Sequence, residues 1–340
     1  MIPILLVGSV PLANNEQVFK CVSEIIGSHL RYIPDGETGK RYGWIEFQEQ
    51  VFACNPLLKQ EPPADVHYGP SVGKFRFCDG SNPMELKFDN LGYSEAALNS
   101  FALFKKLKED GTIPTHVRFQ VSLPTPLAPC MFLADSSAIV DILPAYRRAL
   151  FAELELICAE IPHDQLAVQW DVCLEFAILE NRSAYKISID QMFSDVVDLG
   201  TVVPEDVHVG FHLCYGDYAH KHFVEPNDSS KLVQMANTLS KQLLSRAINW
   251  IHLPIPRNRT DDDYFRPMKD LELKSDTELY LGLIHLTDGV DGSLHRAQTA
   301  KKALGSRPFG IATECGFGRR PPETIVDLLK VHADVARKLD

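Results

Sequence analysis

His212 and Cys214 stand two residues apart in an apolar, β-branched run, and Cys315 closes another such run near the end of the chain. On a strand, alternate residues share a face, so His212 and Cys214 project together. A neutral imidazole with two thiolates is a soft nitrogen and sulfur set that suits zinc better than magnesium or calcium. Three protein ligands leave one position open for a water or a thiol, whose pKa the metal lowers. Two carboxylates occupy comparable places: Glu37 in Asp35-Gly36-Glu37 and Asp171 in Gln169-Trp170-Asp171, each ending an apolar run. Such groups hold a cationic or hydroxylated part of a substrate or act as acid and base. Ser9, His252, and His285 with Asp288 end or nearly end three further runs. Arg319 follows the glycine-rich turn Gly316-Phe317-Gly318 ahead of a helix start, a usual anion position in barrels.

What must position these residues is a set of eight short apolar runs, at 4–9, 32–37, 117–123, 167–172, 207–215, 248–255, 279–286 and 309–315, separated by segments of helical period. Strand and helix alternating in series imply a single (β/α)8 TIM barrel spanning 1–340, with a doubly wound open sheet as the alternative. In a barrel, chemistry collects at the C-terminal ends of the strands, where the residues above fall. The interval 48–115 exceeds any ordinary crossover. It is expected to be an ordered insertion after strand 2, with a hairpin-like part lying over the barrel mouth. Asp135-Ser136-Ser137 is expected to cap a long helix ending before Pro162, kinked or split at Pro144. Pro321-Pro322-Glu323 is expected to open the last helix, with Ile325, Leu328, Leu329 and Val335 as its buried stripe.

The chain has 340 residues with 34 basic and 45 acidic side chains, a formal net charge of −11, which argues against nucleic acid as a partner. An apolar content of 45% and a charged content of 23% are those of a globular protein rather than a disordered one. No apolar run approaches the roughly 20 residues that cross a bilayer. The N-terminus lacks the basic flank of a signal peptide, so the expected location is cytoplasmic, with no membrane partner and the eight cysteines reduced. Gly36-Glu37-Thr38-Gly39-Lys40 has the wrong spacing for a phosphate loop, and no dinucleotide fingerprint follows the first run.

Several pieces, in order along nearly the whole chain, resemble the catalytic barrel of cobalamin-independent methionine synthase and its single-barrel relatives. That family lies within the wider group that includes uroporphyrinogen decarboxylase. Gly8-Ser9-Val10-Pro11 looks like its opening G-S-F-P, Asp35-Gly36-Glu37 like its D/H-G-E strand end, and Gln169-Trp170-Asp171 like its Q-x-D-E-P strand. His212-Leu213-Cys214-Tyr215 looks like H-M-C-Y, and the stretch from Glu314 to Arg320 like P-D-C-G-L-K-T-R. The resemblance implies a zinc site built by His212, Cys214 and Cys315, and a substrate set of Ser9, Glu37 and Asp171, to which Tyr215 and Arg319 are added as expected substrate contacts. The strand that carries the family's ligating glutamate reads Asn249-Trp250-Ile251-His252-Leu253-Pro254-Ile255, with Pro254 at the ligand position. His252, on the same face one pleat lower, is therefore expected to be the fourth ligand or a general acid/base beside the metal.

The implied activity is zinc-dependent alkyl (methyl) transfer to an activated thiol, on a small thiol or amino-acid-like substrate that has diverged from the family's own. The alternatives are a repurposed barrel acting as a lyase, isomerase or hydrolase on a small polar metabolite, with Glu37, Asp171 and the strand-end histidines, His252 among them, as acid and base, and a non-catalytic binding protein.

Overall fold

A computed structural model describes residues 1–63, 69–218 and 221–340. Seven parallel strands form one curled sheet: β1 (Tyr32–Pro34), β4 (Arg118–Pro124), β5 (Leu166–Val172), β6 (His208–Leu213), β7 (Trp250–Pro254), β8 (Glu278–Ile284) and β9 (Gly310–Thr313), in that spatial order. An antiparallel pair, β2 (Leu58–Gln60) and β3 (Phe75–Phe77), lies apart from it. Strand and helix alternate through the sheet, as in a TIM-barrel-like α/β fold.

Seven of the eight apolar runs thus become strands of this sheet. Residues 4–9 do not form a regular strand; they join by isolated parallel bridges, Ile4 to both Leu30 and Ile311, and Ser9 to Gly36. The run therefore lies between β1 and β9, the two edges of the sheet.

Parallel strands covered on both faces read as continuous apolar runs, which is why Leu166–Val172 is buried at every position although it contains Gln169 and Asp171. The outward faces of the strands pack against the helices in one large apolar core. Inside the sheet a separate layer contains Leu5, Tyr32, Ala167, Trp250, Tyr280 and Ala312, with Tyr32 and Trp250 stacked at 4.2 Å. Gly210 leaves room for that layer, because a Cβ there would meet Trp250 Cε2 at 1.9 Å. His212 and His252 sit one pleat above Gly210 and Trp250, so this aromatic plug is the floor beneath them.

Between 48 and 115 the structure shows the helix Gln48–Ala53, the β2–β3 pair and the helix Tyr93–Glu109; residues 64–68 of this interval lie outside the described residues. The helix Tyr93–Glu109 packs against Asn15–Ile26, Ile139–Glu160 and β4, in the outer helical layer. Its start is capped from a distance: the Glu153 carboxylate accepts from the backbone N–H groups of Leu91, Gly92 and Ser94.

The helix Ile139–Glu160 runs unbroken through Pro144, which lies close enough to the N-terminus that only early hydrogen bonding is affected. Asp135 closes a turn onto Ser137 instead of capping this helix, whose first residue follows Ala138 without a side-chain cap. The last helix, Ile325–Leu339, buries Ile325, Leu328, Leu329 and Val335 as expected, after a short 3-10 turn at Pro322–Thr324. Among the described residues no helix is long and apolar enough to cross a membrane.

Candidate functional site

At the C-terminal ends of the strands opens a cavity of about 470 Å³, whose wall includes Ser9, Glu37, Asp171, Cys173, His212, Cys214, Cys315 and Arg319. Trp44, Ile45, Met131, Phe132, Tyr185 and Phe223 supply an apolar part of the wall. A cavity with a few convergent polar groups in an otherwise apolar lining is the usual form of a small-molecule site.

His212, near the end of β6, and Cys214, just past it, point into this cavity because they share strand parity. The ladder continues beyond β6, with Cys214 N–H donating to Val172 O at 2.9 Å, so Cys214 is held in strand register. Cys315 arrives from the turn after β9, and its Sγ lies 3.7 Å from Cys214 Sγ. One donor atom from each of His212, Cys214 and Cys315 falls within 4.8 Å of the others.

His212 Nε2 is buried with no hydrogen-bond partner, while Nδ1 lies 2.6 Å from His252 Nδ1. Burial, and then the neighbouring His252, hold the His212 pKa well below the ordinary imidazole value. Burial likewise lowers His252 to about 3, so both rings are neutral near pH 7. The donor set therefore fits zinc: a neutral imidazole with a free, buried nitrogen beside two thiols, in a wall with access to the cavity.

Glu37 and Asp171 face the same cavity. Glu37 sits at φ 52°, in the left-handed region that non-glycine residues rarely adopt, after Gly36 at φ 81°. That backbone strain, typically about 1–3 kcal/mol, turns its carboxylate inward over Gly8, where a Cβ would lie 3.3 Å from Glu37 Oε1. Asp171 accepts from Gln169 Nε2 at 2.9 Å and from Trp44 Nε1 at 3.2 Å. Burial raises Glu37 to about 7, against the opposing effect of Arg41. Burial and then the charge of Glu37 push Asp171 well above the usual carboxylate range. Two carboxyl groups that resist ionising side by side are suited to a cation.

The other expected residues divide. Ser9 lines the cavity, but its Oγ also accepts from Gly318 N–H at 3.1 Å and occupies the space a Cβ on Gly316 would need, so it anchors the turn that carries Cys315. Arg319 reaches the cavity with its guanidinium 5.9 Å from the Tyr218 ring centre. Tyr215 needs correction as a wall residue. Its parity is opposite to that of His212 and Cys214, so its ring packs against Phe176 and Phe223 behind the wall and its hydroxyl donates to Glu180 at 3.2 Å. His252 is fully buried and stands behind His212, outside the triad of donor atoms. His285 bonds Ile255 O at 2.9 Å, and Asp288 pairs with Arg296 at 2.6 Å, so both serve the framework.

Two wall residues escape the sequence reading. Trp44 belongs to a loop without period, and nothing local shows that its indole reaches Asp171. Cys173, by contrast, shares strand parity with Asp171, a signal present in the sequence.

No family model matches the chain, and no curated protein matches it. Solved structures do. Among them is a B12-independent methionine synthase from Shewanella sp. W3-18-1 in complex with selenomethionine, with a TM-score of 0.56 at 14% identity, covering 100% of this chain and 98% of that one. Another is a protein from Listeria monocytogenes assigned as a vitamin-B12-independent methionine synthase, with a TM-score of 0.54 at 14% identity, covering 96% and 87%. At this identity the likeness is one of fold, and the fold is that of the family whose motifs the sequence resembles.

Proposed function

We propose that the chain is a zinc-dependent transferase that activates a thiol for alkyl transfer, methyl in the first instance, on an amino-acid-like substrate diverged from that of methionine synthases. The observation that carries this reading is the convergence of His212, Cys214 and Cys315 in the wall of the cavity that also holds Glu37 and Asp171. Zinc bound there would lower the pKa of a substrate thiol so that it is a thiolate near neutral pH.

The chain's own groups have separable tasks in this reading. His212 offers Nε2 in the tautomer whose Nδ1–H donates to His252 Nδ1, a contact that orients the ring, so His252 is a positioning residue. Glu37 and Asp171 bind the substrate ammonium, with Trp44 and Gln169 orienting Asp171. Arg319 receives the opposite charge. Ser9 holds the Cys315 turn, and the apolar wall excludes water from the reacting sulfur. The scaffold is a one-domain (β/α)8 barrel in which residues 4–9 act as the eighth stave, with 48–115 as an insertion. Unpaired thiols at the site fit a reducing compartment such as the cytoplasm.

Elemental analysis of protein purified with added zinc is expected to give about one zinc per chain, lost in Cys315→Ser. Metal-free protein with thiol alkylation intact in Cys214→Ala would overturn the proposal. A second reading, acid/base chemistry on a small polar metabolite, draws support from Glu37, whose pKa of about 7 suits proton transfer. Activity that survives chelation but is lost in Glu37→Gln would favour it.

A further inference from the structure

On one side of Cys214, β7 ends at Pro254, which offers no ligand atom. The strand on the other side leads into one. β5 and β6 pair in register through Val172↔Leu213, and the next residues are Cys173 and Cys214. The ladder hydrogen bond from Cys214 N–H to Val172 O shows that the pairing extends that far. Cys173 and Cys214 therefore lie side by side with the same parity as Asp171 and His212, facing inward. Both line the cavity with His212 and Cys315. Cys173 is 4% exposed. His212 Nε2, buried and without a partner, marks the same spot as built for a ligand.

We propose that Cys173 is the fourth protein ligand of the metal in the substrate-free site, giving one imidazole and three thiolates from His212, Cys173, Cys214 and Cys315, and that it yields its place to the substrate thiol and takes up that thiol's proton. This rests on the metal reading above and deepens it. Cys173 stands outside the group of three donors that lie within 4.8 Å of one another, but it follows the paired strand position next to that of Cys214. Each thiol that enters the coordination sphere gives up its proton to solvent. Three thiolates on a divalent cation leave a net charge of 2 − 3 = −1, where one carboxylate with two thiolates would give the same. A third soft sulfur shifts preference further toward zinc and away from oxygen-seeking cations.

The test is X-ray absorption on zinc-loaded wild-type protein, paired with the thiolate-to-metal charge-transfer band of the cobalt(II) form. Three sulfurs and one nitrogen around zinc in the wild type, falling to two sulfurs in Cys173→Ser, is the expected result. The variant should also bind zinc more weakly, by more than the roughly 10–100-fold that loss of an outer-shell partner costs. The wild-type spectrum needs no variant, so poor folding of Cys173→Ser would not obscure it. Bound zinc with two sulfurs in the wild type overturns the role of Cys173 and leaves the metal site standing. A wild-type protein that takes up no zinc or cobalt overturns both.

Discussion

His252 lies directly behind His212, Nδ1 to Nδ1 at 2.6 Å, on paired positions of β7 and β6. Only one of the two Nδ1 atoms can carry the proton, and with both rings neutral the direction of this bond decides which nitrogen of His212 is left bare. If His212 donates, its Nε2 is the free base and faces the cavity side without a partner, while His252 Nε2, also unpartnered, carries the other proton.

Replacing His252 by Ala is therefore expected to lower zinc affinity by roughly 10–100-fold without abolishing binding, because the ligand loses its orienting partner. Competition with a chromogenic chelator measures this. An affinity equal to wild type would remove His252 from the metal's support, and total loss of zinc would make it a ligand.

Glu37 gives a pH signature. Its carboxyl carries a proton in the folded chain up to about pH 7, against an unfolded value of 4.5. The native state thus binds more protons in that window, so the stability it lends is fully present below about pH 4.5 and is lost as pH rises through 7. The shift corresponds to about 3 kcal/mol at roughly 1.36 kcal/mol per unit. Glu37→Gln should flatten the fall in melting temperature between about pH 5 and pH 8 and weaken binding of an ammonium-bearing ligand. An unchanged slope would show that the carboxyl ionises freely.

Tyr215→Phe should leave ligand and zinc binding at the wild-type level, since the hydroxyl meets Glu180 behind the cavity wall. The cost should be confined to stability, about 1 kcal/mol for one hydrogen bond. Loss of ligand affinity with stability intact would return Tyr215 to the site.

Gly210→Ala tests the floor. The added methyl would enter the Trp250 indole, and overpacking of this kind costs typically about 1–3 kcal/mol. Since His212 is two residues on, the same variant should loosen zinc binding, readable by thermal denaturation with and without metal. A melting temperature equal to wild type would mean that the indole moves aside freely.

The strands are legible in the sequence because parallel strands buried on both faces leave uninterrupted apolar runs, and the polar residues that end them mark the mouth. The donors His212, Cys214 and Cys315 follow from parity and from the position of the last run. The helix Tyr93–Glu109 is not legible within 48–115, because Gly92 precedes it with no side-chain cap and the capping carboxylate, Glu153, comes from a distant helix. Trp44 on Asp171 is a contact between a loop and a strand far apart in sequence, which no local pattern encodes. The motif around His212 misplaces Tyr215, because it continues past the point where parity turns the side chain away. Cys173 reads at first only as a departure from the Q-x-D-E-P pattern, although the parity that selects Asp171 selects it as well.

The bridges from Ile4 to Leu30 and to Ile311 have a consequence for biosynthesis. One flank of this run finds its neighbour within the first tens of residues, whereas the other waits for residues near 311 to leave the ribosome. Until then the nascent chain holds two open sheet edges, the kind of surface that invites mispairing and chaperone binding. Cys315 and the turn that rests on Ser9 emerge after β9, so the donor set cannot assemble before the last strand has been made. Any metal this donor set takes up would then be captured late, after the scaffold has closed.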